Sequence, residues 1–166
     1  DLALGGTCLN VGCIPSKALL ASSEEYENAA HHLGDHGISV SGVKLDVAKM
    51  VARKDGIVSK MTKGIEFLMK KNKVEWIKGY GRIAGPGKVE VNADGASRIL
   101  ETKNIVLATG SEARMLPGLQ SDAQRILNNI EILNLTEVPK SLAVIGSGAV
   151  GSEFASCFAR FGSKVS

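Results

Sequence analysis

Leu142-Ala143-Val144-Ile145 runs directly into three glycines at fixed spacing, Gly146-x-Gly148-x-x-Gly151, and then into a helical pattern that lasts to about Phe161. Few patterns restrict a fold as much. An apolar strand, a glycine turn and a helix in this order open a βαβ unit of a parallel sheet. Gly146 permits the tight turn, Gly148 lets the backbone approach a pyrophosphate, and Gly151 lets helix and strand pack closely. The helix N-terminus then faces the phosphates. In this context the pattern is a dinucleotide-binding fingerprint. Gly151 rather than Ala leans towards NAD over NADP. The acid expected to read the ribose, about 20 residues further on, would fall past Ser166. A glycine-rich turn without a ligand fits the same residues.

The second constraint lies near the start, in Gly5-Gly6-Thr7-Cys8-Leu9-Asn10-Val11-Gly12-Cys13-Ile14-Pro15-Ser16-Lys17. Four residues separate the two cysteines, too many for C-x-x-C, and no partner ligands accompany them as a zinc site requires. The chain can turn once and bring the sulfurs within disulfide range if the Cα atoms approach to about 6 Å. Pro15 favours a helix start at about Ile14 to Ser16. Cys13 then stands at the positive end of that helix, where a thiolate is stabilised. Cys13 reads as the sulfur that stays anionic on reduction, and Cys8 as the sulfur free to attack a substrate. A stapling disulfide, or two unrelated buried cysteines, also fits the spacing.

This run resembles the redox-active disulfide of the flavin-dependent pyridine nucleotide-disulfide oxidoreductases. Within that family G-G-T-C-L-N-V-G-C-I-P-S-K-A-L-L is most similar to the dihydrolipoamide dehydrogenase branch. A third segment supports the resemblance. Thr102-Lys103-Asn104-Ile105-Val106-Leu107-Ala108-Thr109-Gly110-Ser111 is similar to the T-x-x-x-hydrophobic-A-T-G stretch that closes the family's flavin domain and brings Gly110 against FAD. Gly81 matches the position where backbone meets the adenine end of FAD. The resemblance implies FAD and NAD as cofactors. It implies Cys8, Cys13, Lys17 and Glu153 as catalytic residues. It implies cofactor contacts from Gly6, Thr7, Cys8, Lys17, Gly81, Thr109, Gly110, Ser111, Gly146, Ser147, Gly148, Ala149, Val150, Gly151 and Glu153.

Lys17 and Glu153 are weighed separately. Lys17 lies four residues after Cys13, on the same helical face, where its ammonium would stabilise the Cys13 thiolate and an electron-rich flavin. Glu153 follows Gly151 by two, which predicts a place in the first turn of the nucleotide helix. The family pairs a Lys and a Glu at these matching places beside the flavin ring. The plainer alternative, which the family match outweighs, is an exposed lysine and a glutamate answering the helix dipole. His31, His32 and His36 lie in a polar region and do not match the family's His–Glu acid–base pair, which stands near the C-terminus of its longer chains. They read as surface residues. Cys157 shares a helical face with Val150, Phe154 and Phe161 and reads as a small buried hydrophobe. Trp76 reads as core.

Composition adds bounds. With 166 residues, 44% hydrophobic and 22% charged, the chain has ordinary globular composition and room for one domain plus part of another. A net charge of +3 does not argue for nucleic acid. Lys60, Lys63, Lys70, Lys71 and Lys73 read as the solvated face of one amphipathic helix. No apolar run approaches the roughly 18 residues of a membrane span, and no signal-peptide pattern occurs. Three cysteines, two in an apparent redox pair, do not make a secreted disulfide scaffold, and a reducing compartment fits better.

The predicted organisation is α/β. A helix runs from Pro15 to about His32, and a second from about Leu45 to Lys71, with Gly56 and Gly64 inside it. Val74–Ile77 reads as a strand. Val89 and Val91 alternate, Asp94-Gly95 turns, and Ile99 opens a return strand. Ile105–Ala108 and Ser141–Ile145 read as buried parallel strands. The resemblance implies a doubly wound FAD-binding domain with a β-meander over 1–118, and the start of an NAD-binding Rossmann-type domain over 119–166. The chain reads as an interior piece of a longer protein, without the first FAD glycine-rich unit, the rest of the NAD domain and the dimer-interface domain. It is not expected to turn over alone.

The activity implied is oxidation of dihydrolipoamide with NAD⁺ through a Cys8–Cys13 redox disulfide and FAD. Lipoyl domains of 2-oxoacid dehydrogenase complexes would be its partners and a homodimer its full-length state. Bacterial cytoplasm or mitochondrial matrix would be its location. Mercuric, glutathione and trypanothione reductases share the mechanism and stay open as alternatives. So do a disulfide exchanger without flavin and a non-catalytic piece of a 2-oxoacid dehydrogenase complex.

Overall fold

A computed structural model describes residues 3–166. Helix α1 (Gly6–Val11) and helix α2 (Cys13–Glu27) carry the cysteine run. After α2 the chain loosens into a π turn over Asn28–His32 and a 3₁₀ turn over Leu33–His36, so the predicted single helix to His32 changes form at Asn28. Helix α3 (Val47–Lys71) follows. Strands β1 (Tyr80–Gly85), β2 (Lys88–Ala93) and β3 (Ala96–Glu101) make an antiparallel meander. A four-residue helix α4 (Asn129–Ile132) precedes β4 (Ser141–Leu142), α5 (Ala149–Arg160) and β5 (Lys164–Val165).

Local chemistry accounts for most of these bounds. The Asp46 carboxylate accepts from Lys49 N at 2.9 Å and caps α3, and Lys70 and Lys71 answer its dipole in the last turn. Gly56 and Gly64 each cost a helix about 1 kcal/mol, which the rest of α3 absorbs without a break. Asp94 and Gly95 both take positive φ, 50° and 80°, the two-residue turn that matches the twist of a hairpin. Val91 of β2 stands opposite Gly81 and Arg98.

The core lies where α2, α3, α4 and α5 meet. Leu19, Met50, Ile132, Leu133, Phe154, Cys157, Phe158 and Phe161 form one buried cluster. Tyr26 and Phe158 each meet the Phe161 ring edge-on, with centroids at 5.9 Å and 6.3 Å. Each large apolar side chain buried there contributes roughly 1.5–3 kcal/mol. Lys54 is buried in the same region, at 4% exposure. Its ammonium is satisfied by Leu133 O at 3.0 Å, Asn134 Oδ1 at 2.7 Å and the Asp55 carboxylate at 2.9 Å.

β4 and β5 pair in parallel, with α5 as the crossover. Ser166 N donates to Leu142 O, and Val144 N to Ser166 O, extending the ladder. Three predicted strands depart from expectation. Ile105–Ala108 forms no regular element and has no sheet partner among the described residues, and Val106 and Leu107 are 87% and 72% exposed. Of Ser141–Ile145 only the first two residues pair as a strand, and Ile145 is exposed. Val74–Ile77 is likewise unpaired. An apolar run becomes a sheet strand only where a neighbour takes its N–H and C=O groups. Ile105–Ala108 and Val74–Ile77 pair with no strand among the described residues, whereas Ser141–Ile145 is bonded by β5 and Ser166 as far as Val144. Trp76 is half-buried rather than core, with the Lys78 ammonium 4.5 Å from its ring centroid.

Candidate functional site

Cys8 and Cys13 form a disulfide with their Cα atoms 4.7 Å apart. Both cysteines are exposed. Cys8 is carried by α1, a short helix the spacing did not predict, and Cys13 is the first residue of α2. The first bond of α2 runs from Ser16 N to Gly12 O at 3.1 Å. The N–H groups of Cys13 and Ile14 precede it, and Pro15 has none to leave unpaired. Cys13 therefore stands at the positive end of α2, as expected. Asn129 Nδ2 donates to Val11 O at 2.8 Å and ties the C-terminal end of α1 to α4.

One turn along α2, Lys17 Nζ pairs with Glu153 Oε1 of α5, 136 residues away. Ser16 Oγ donates to Glu153 Oε2 at 2.9 Å. The predicted juxtaposition of Lys17 and Glu153 is thus present. One detail differs: Glu153 is the fifth residue of α5 rather than part of its first turn, which holds no acid. The hydrogen bond from Lys17 holds the Glu153 carboxyl below the ordinary carboxylate range. Partial burial opposes the shift and the bond from Ser16 reinforces it.

The third segment also reaches the cysteine run. Ser111 N donates to Thr7 Oγ1 at 3.3 Å across 104 residues. Gly110 sits between them with φ +81°, and a Cβ there would lie 3.0 Å from Thr7 Oγ1. Only glycine takes this conformation and this approach without strain. Gly6 and Thr7 stand in the first turn of α1, and Thr109, Gly110 and Ser111 are exposed.

The glycine loop is built for close approach. A Cβ on Gly151 would overlap Gly146 O and meet Val144 Cγ1 at 3.2 Å, so the turn closes only with glycine there. Gly146, Ser147, Gly148, Ala149 and Val150 are exposed. Gly148 caps α5 with no side-chain hydrogen bond, which leaves the first N–H groups of the helix open to a ligand. Gly81 lies in β1 opposite Val91, and no hydrogen bond ties it to the disulfide or to Gly110. His31, His32 and His36 are exposed, and no group of metal-binding residues gathers among the described residues. Cys157 is free and 1% exposed, and burial pushes its thiol up to about 11.

Sequence reasoning missed Ser16, Asn129 and Lys54. Ser16 and Asn129 act on partners more than a hundred residues away, so no local pattern marks them.

Residues 1–166 match the family model described as pyridine nucleotide-disulphide oxidoreductase. The chain belongs to this family. A dihydrolipoyl dehydrogenase from Cupriavidus necator is 57% identical over 165 residues, which cover 99% of this chain and 35% of the relative. A mitochondrial dihydrolipoyl dehydrogenase from Arabidopsis thaliana is 51% identical over 164 residues, 98% of this chain and 32% of that relative. Among solved structures, LpdA from Mycobacterium tuberculosis superposes with a TM-score of 0.88 at 27% identity, over 98% of this chain and 36% of LpdA. The chain thus spans about a third of the length of the relatives it matches. Its α/β fold is that of this oxidoreductase family, with the meander and the opening of a parallel βαβ unit as expected. No helix of the described residues is long and apolar enough to cross a membrane.

Proposed function

We propose that this chain is the disulfide-bearing part of a dihydrolipoyl dehydrogenase that oxidises protein-bound dihydrolipoamide and reduces NAD⁺. The observation that carries the reading is the exposed Cys8–Cys13 disulfide at the start of α2, with Lys17 one turn on and paired to the helix behind the glycine loop.

The chain's own residues supply the thiol chemistry. One substrate thiolate attacks Cys8 Sγ, the S–S bond breaks, and Cys13 leaves as a thiolate. The helix N-terminus and Lys17 stabilise that leaving charge. The second substrate sulfur then displaces Cys8 from the mixed disulfide, which leaves the substrate oxidised and both cysteines reduced. Bound FAD would carry the electron pair onward to NAD⁺. The residues fit both groups. Thr7 and the bare backbone of Thr109–Ser111 offer donors and close approach beside the cysteines, for FAD. The uncapped start of α5 with glycines at 146, 148 and 151 suits a pyrophosphate, for NAD.

In this reading residues 1–118 belong to the FAD domain, and 119–166 open the NAD domain. Cys8, Cys13, Lys17 and Glu153 serve the reaction. The remaining loop residues and Gly81 line the cofactors. Relatives occur in bacteria and in mitochondria. Bacterial cytoplasm or mitochondrial matrix, lipoyl domains of 2-oxoacid dehydrogenase complexes as partners, and a homodimer follow from the same reading. The test is the purified full-length protein: yellow, flavin-bearing and able to reduce NAD⁺ with dihydrolipoamide. A colourless protein, or one inert to dihydrolipoamide, refutes it.

A further inference from the structure

Ser16 differs from its neighbours in the cysteine run. Cys13 and Lys17 are exposed, whereas Ser16 is 7% exposed. Its Oγ lies 2.9 Å from Glu153 Oε2 and 3.2 Å from the Cys13 carbonyl oxygen. A hydroxyl has one proton to donate. A helical serine ordinarily returns it to a carbonyl one turn back. Here an ionised acceptor stands closer, and such bonds are about twice as strong as neutral ones.

The Glu153 carboxylate is therefore divided between two donors, Oε2 to Ser16 and Oε1 to Lys17. The two donors are unequal as anchors. The Lys17 side chain is 61% exposed and flexible, and such a partner holds one geometry poorly. Ser16 is fixed by a single short bond to the packed backbone of α2.

We propose that Ser16 is a positioning residue whose hydroxyl sets the orientation of the Glu153 carboxylate and thereby holds the Lys17 ammonium on the side of α2 that carries Cys13. The positioning role stands on geometry alone. Its consequence for thiol chemistry rests on the disulfide oxidoreductase reading above.

The test uses the full-length holoprotein and trace acylation of lysines, followed by peptide mass spectrometry of the Lys17 peptide. Ser16→Ala raises the labelling rate of Lys17 by roughly threefold or more, because a Glu153 carboxylate freed from its fixed orientation holds the ammonium less well. Glu153→Gln raises it at least as far. The double variant adds nothing further, because both changes remove the same restraint. Ser16→Thr, which keeps the hydroxyl, labels like the parent. Unchanged Lys17 labelling in Ser16→Ala, or simple additivity in the double variant, overturns the proposal.

Protection of Cys157 from thiol reagents reports intact packing of α5 in each variant. Should Ser16→Ala lose it, Ser16→Thr against Ser16→Val decides, since the two match in shape and differ in the hydroxyl. Equal Lys17 labelling in that pair overturns the proposal. Flavin absorbance of the same samples tests the redox reading separately. Colourless protein with the expected labelling sinks that reading alone, and yellow protein with flat labelling sinks the role of Ser16 alone.

Discussion

Glu153, near the start of α5, closes an ion pair on Lys17, one turn after Cys13 on α2. The two helices follow the two motifs that stand out in the sequence, so this contact joins the disulfide to the glycine loop. Folding makes one neighbourhood of segments more than a hundred residues apart.

The pair has a signed pH dependence. The Glu153 carboxyl titrates below its ordinary value of about 4.3, chiefly because Lys17 donates to it. Its contribution to stability is complete above that ordinary value and is lost as pH falls through the lower, folded value. Lys17 is largely exposed, so solvent screening keeps the contribution below about 1 kcal/mol. Glu153→Gln therefore lowers the thermal midpoint slightly at pH 7, and the gap to the parent closes as pH drops below about 4. A constant gap from pH 7 to pH 3 contradicts the pairing.

Lys54 anchors α3 to the residues after α4. Lys54→Ala leaves Leu133 O and Asn134 Oδ1 without their buried donor. The loss is on the order of 2–3 kcal/mol in chemical denaturation of the full-length protein. Lys54→Met keeps the packing volume and costs less. Equal stability of Lys54→Ala and the parent rejects the anchoring role.

The cysteines differ in reactivity. Non-reducing peptide mapping yields one Cys8–Cys13 bridge and no bridge to Cys157. After reduction, Cys8 and Cys13 alkylate at pH 8 under native conditions, and Cys157, with its thiol near 11, does so only on unfolding. Native alkylation of Cys157 at the rate of the other two contradicts its burial.

The proposed function, with Gly151 at the third glycine position, carries an expectation for nucleotide choice. With dihydrolipoamide as donor, the full-length enzyme reduces NAD⁺ much faster than NADP⁺. Equal rates, or preference for NADP⁺, move the assignment to the NADPH-dependent reductases of the same family.

Helices α2, α3 and α5 and the hairpin of β2 and β3 were legible because their cause is local: apolar spacing of three and four, alternation of two, and an Asp-Gly turn. The cysteine run and the glycine loop were legible for the same reason. Ile105–Ala108 shows where a pattern stops short of a structure. Its apolar character is plain in the sequence, but strand pairing needs a partner strand, and none pairs with it among the described residues. The Lys17–Glu153 pair could be anticipated only from the family resemblance, and the bond from Ser16 to Glu153 not at all, because no local pattern encodes a contact spanning 137 residues. The place of Lys54 was legible by spacing, since it stands three after Val51 and four before Val58 on the apolar face of α3, but its partners Leu133 and Asn134 were not, because they lie about 80 residues away.

The central claim is that Cys13 is the sulfur that holds the charge and Cys8 the sulfur that exchanges. The absorbance spectrum of two full-length variants tests it most directly. Cys8→Ser cannot form the internal disulfide, so its Cys13 thiolate against oxidised flavin gives a long-wavelength charge-transfer band without added reductant. Cys13→Ser shows no such band, and its Cys8 alkylates readily. Adding Lys17→Met to Cys8→Ser raises the pH at which the band is lost on acidification, because the thiolate has lost its cationic neighbour. A band in Cys13→Ser and none in Cys8→Ser reverses the roles of the two sulfurs, and no band in either variant means that the pair does not face a flavin.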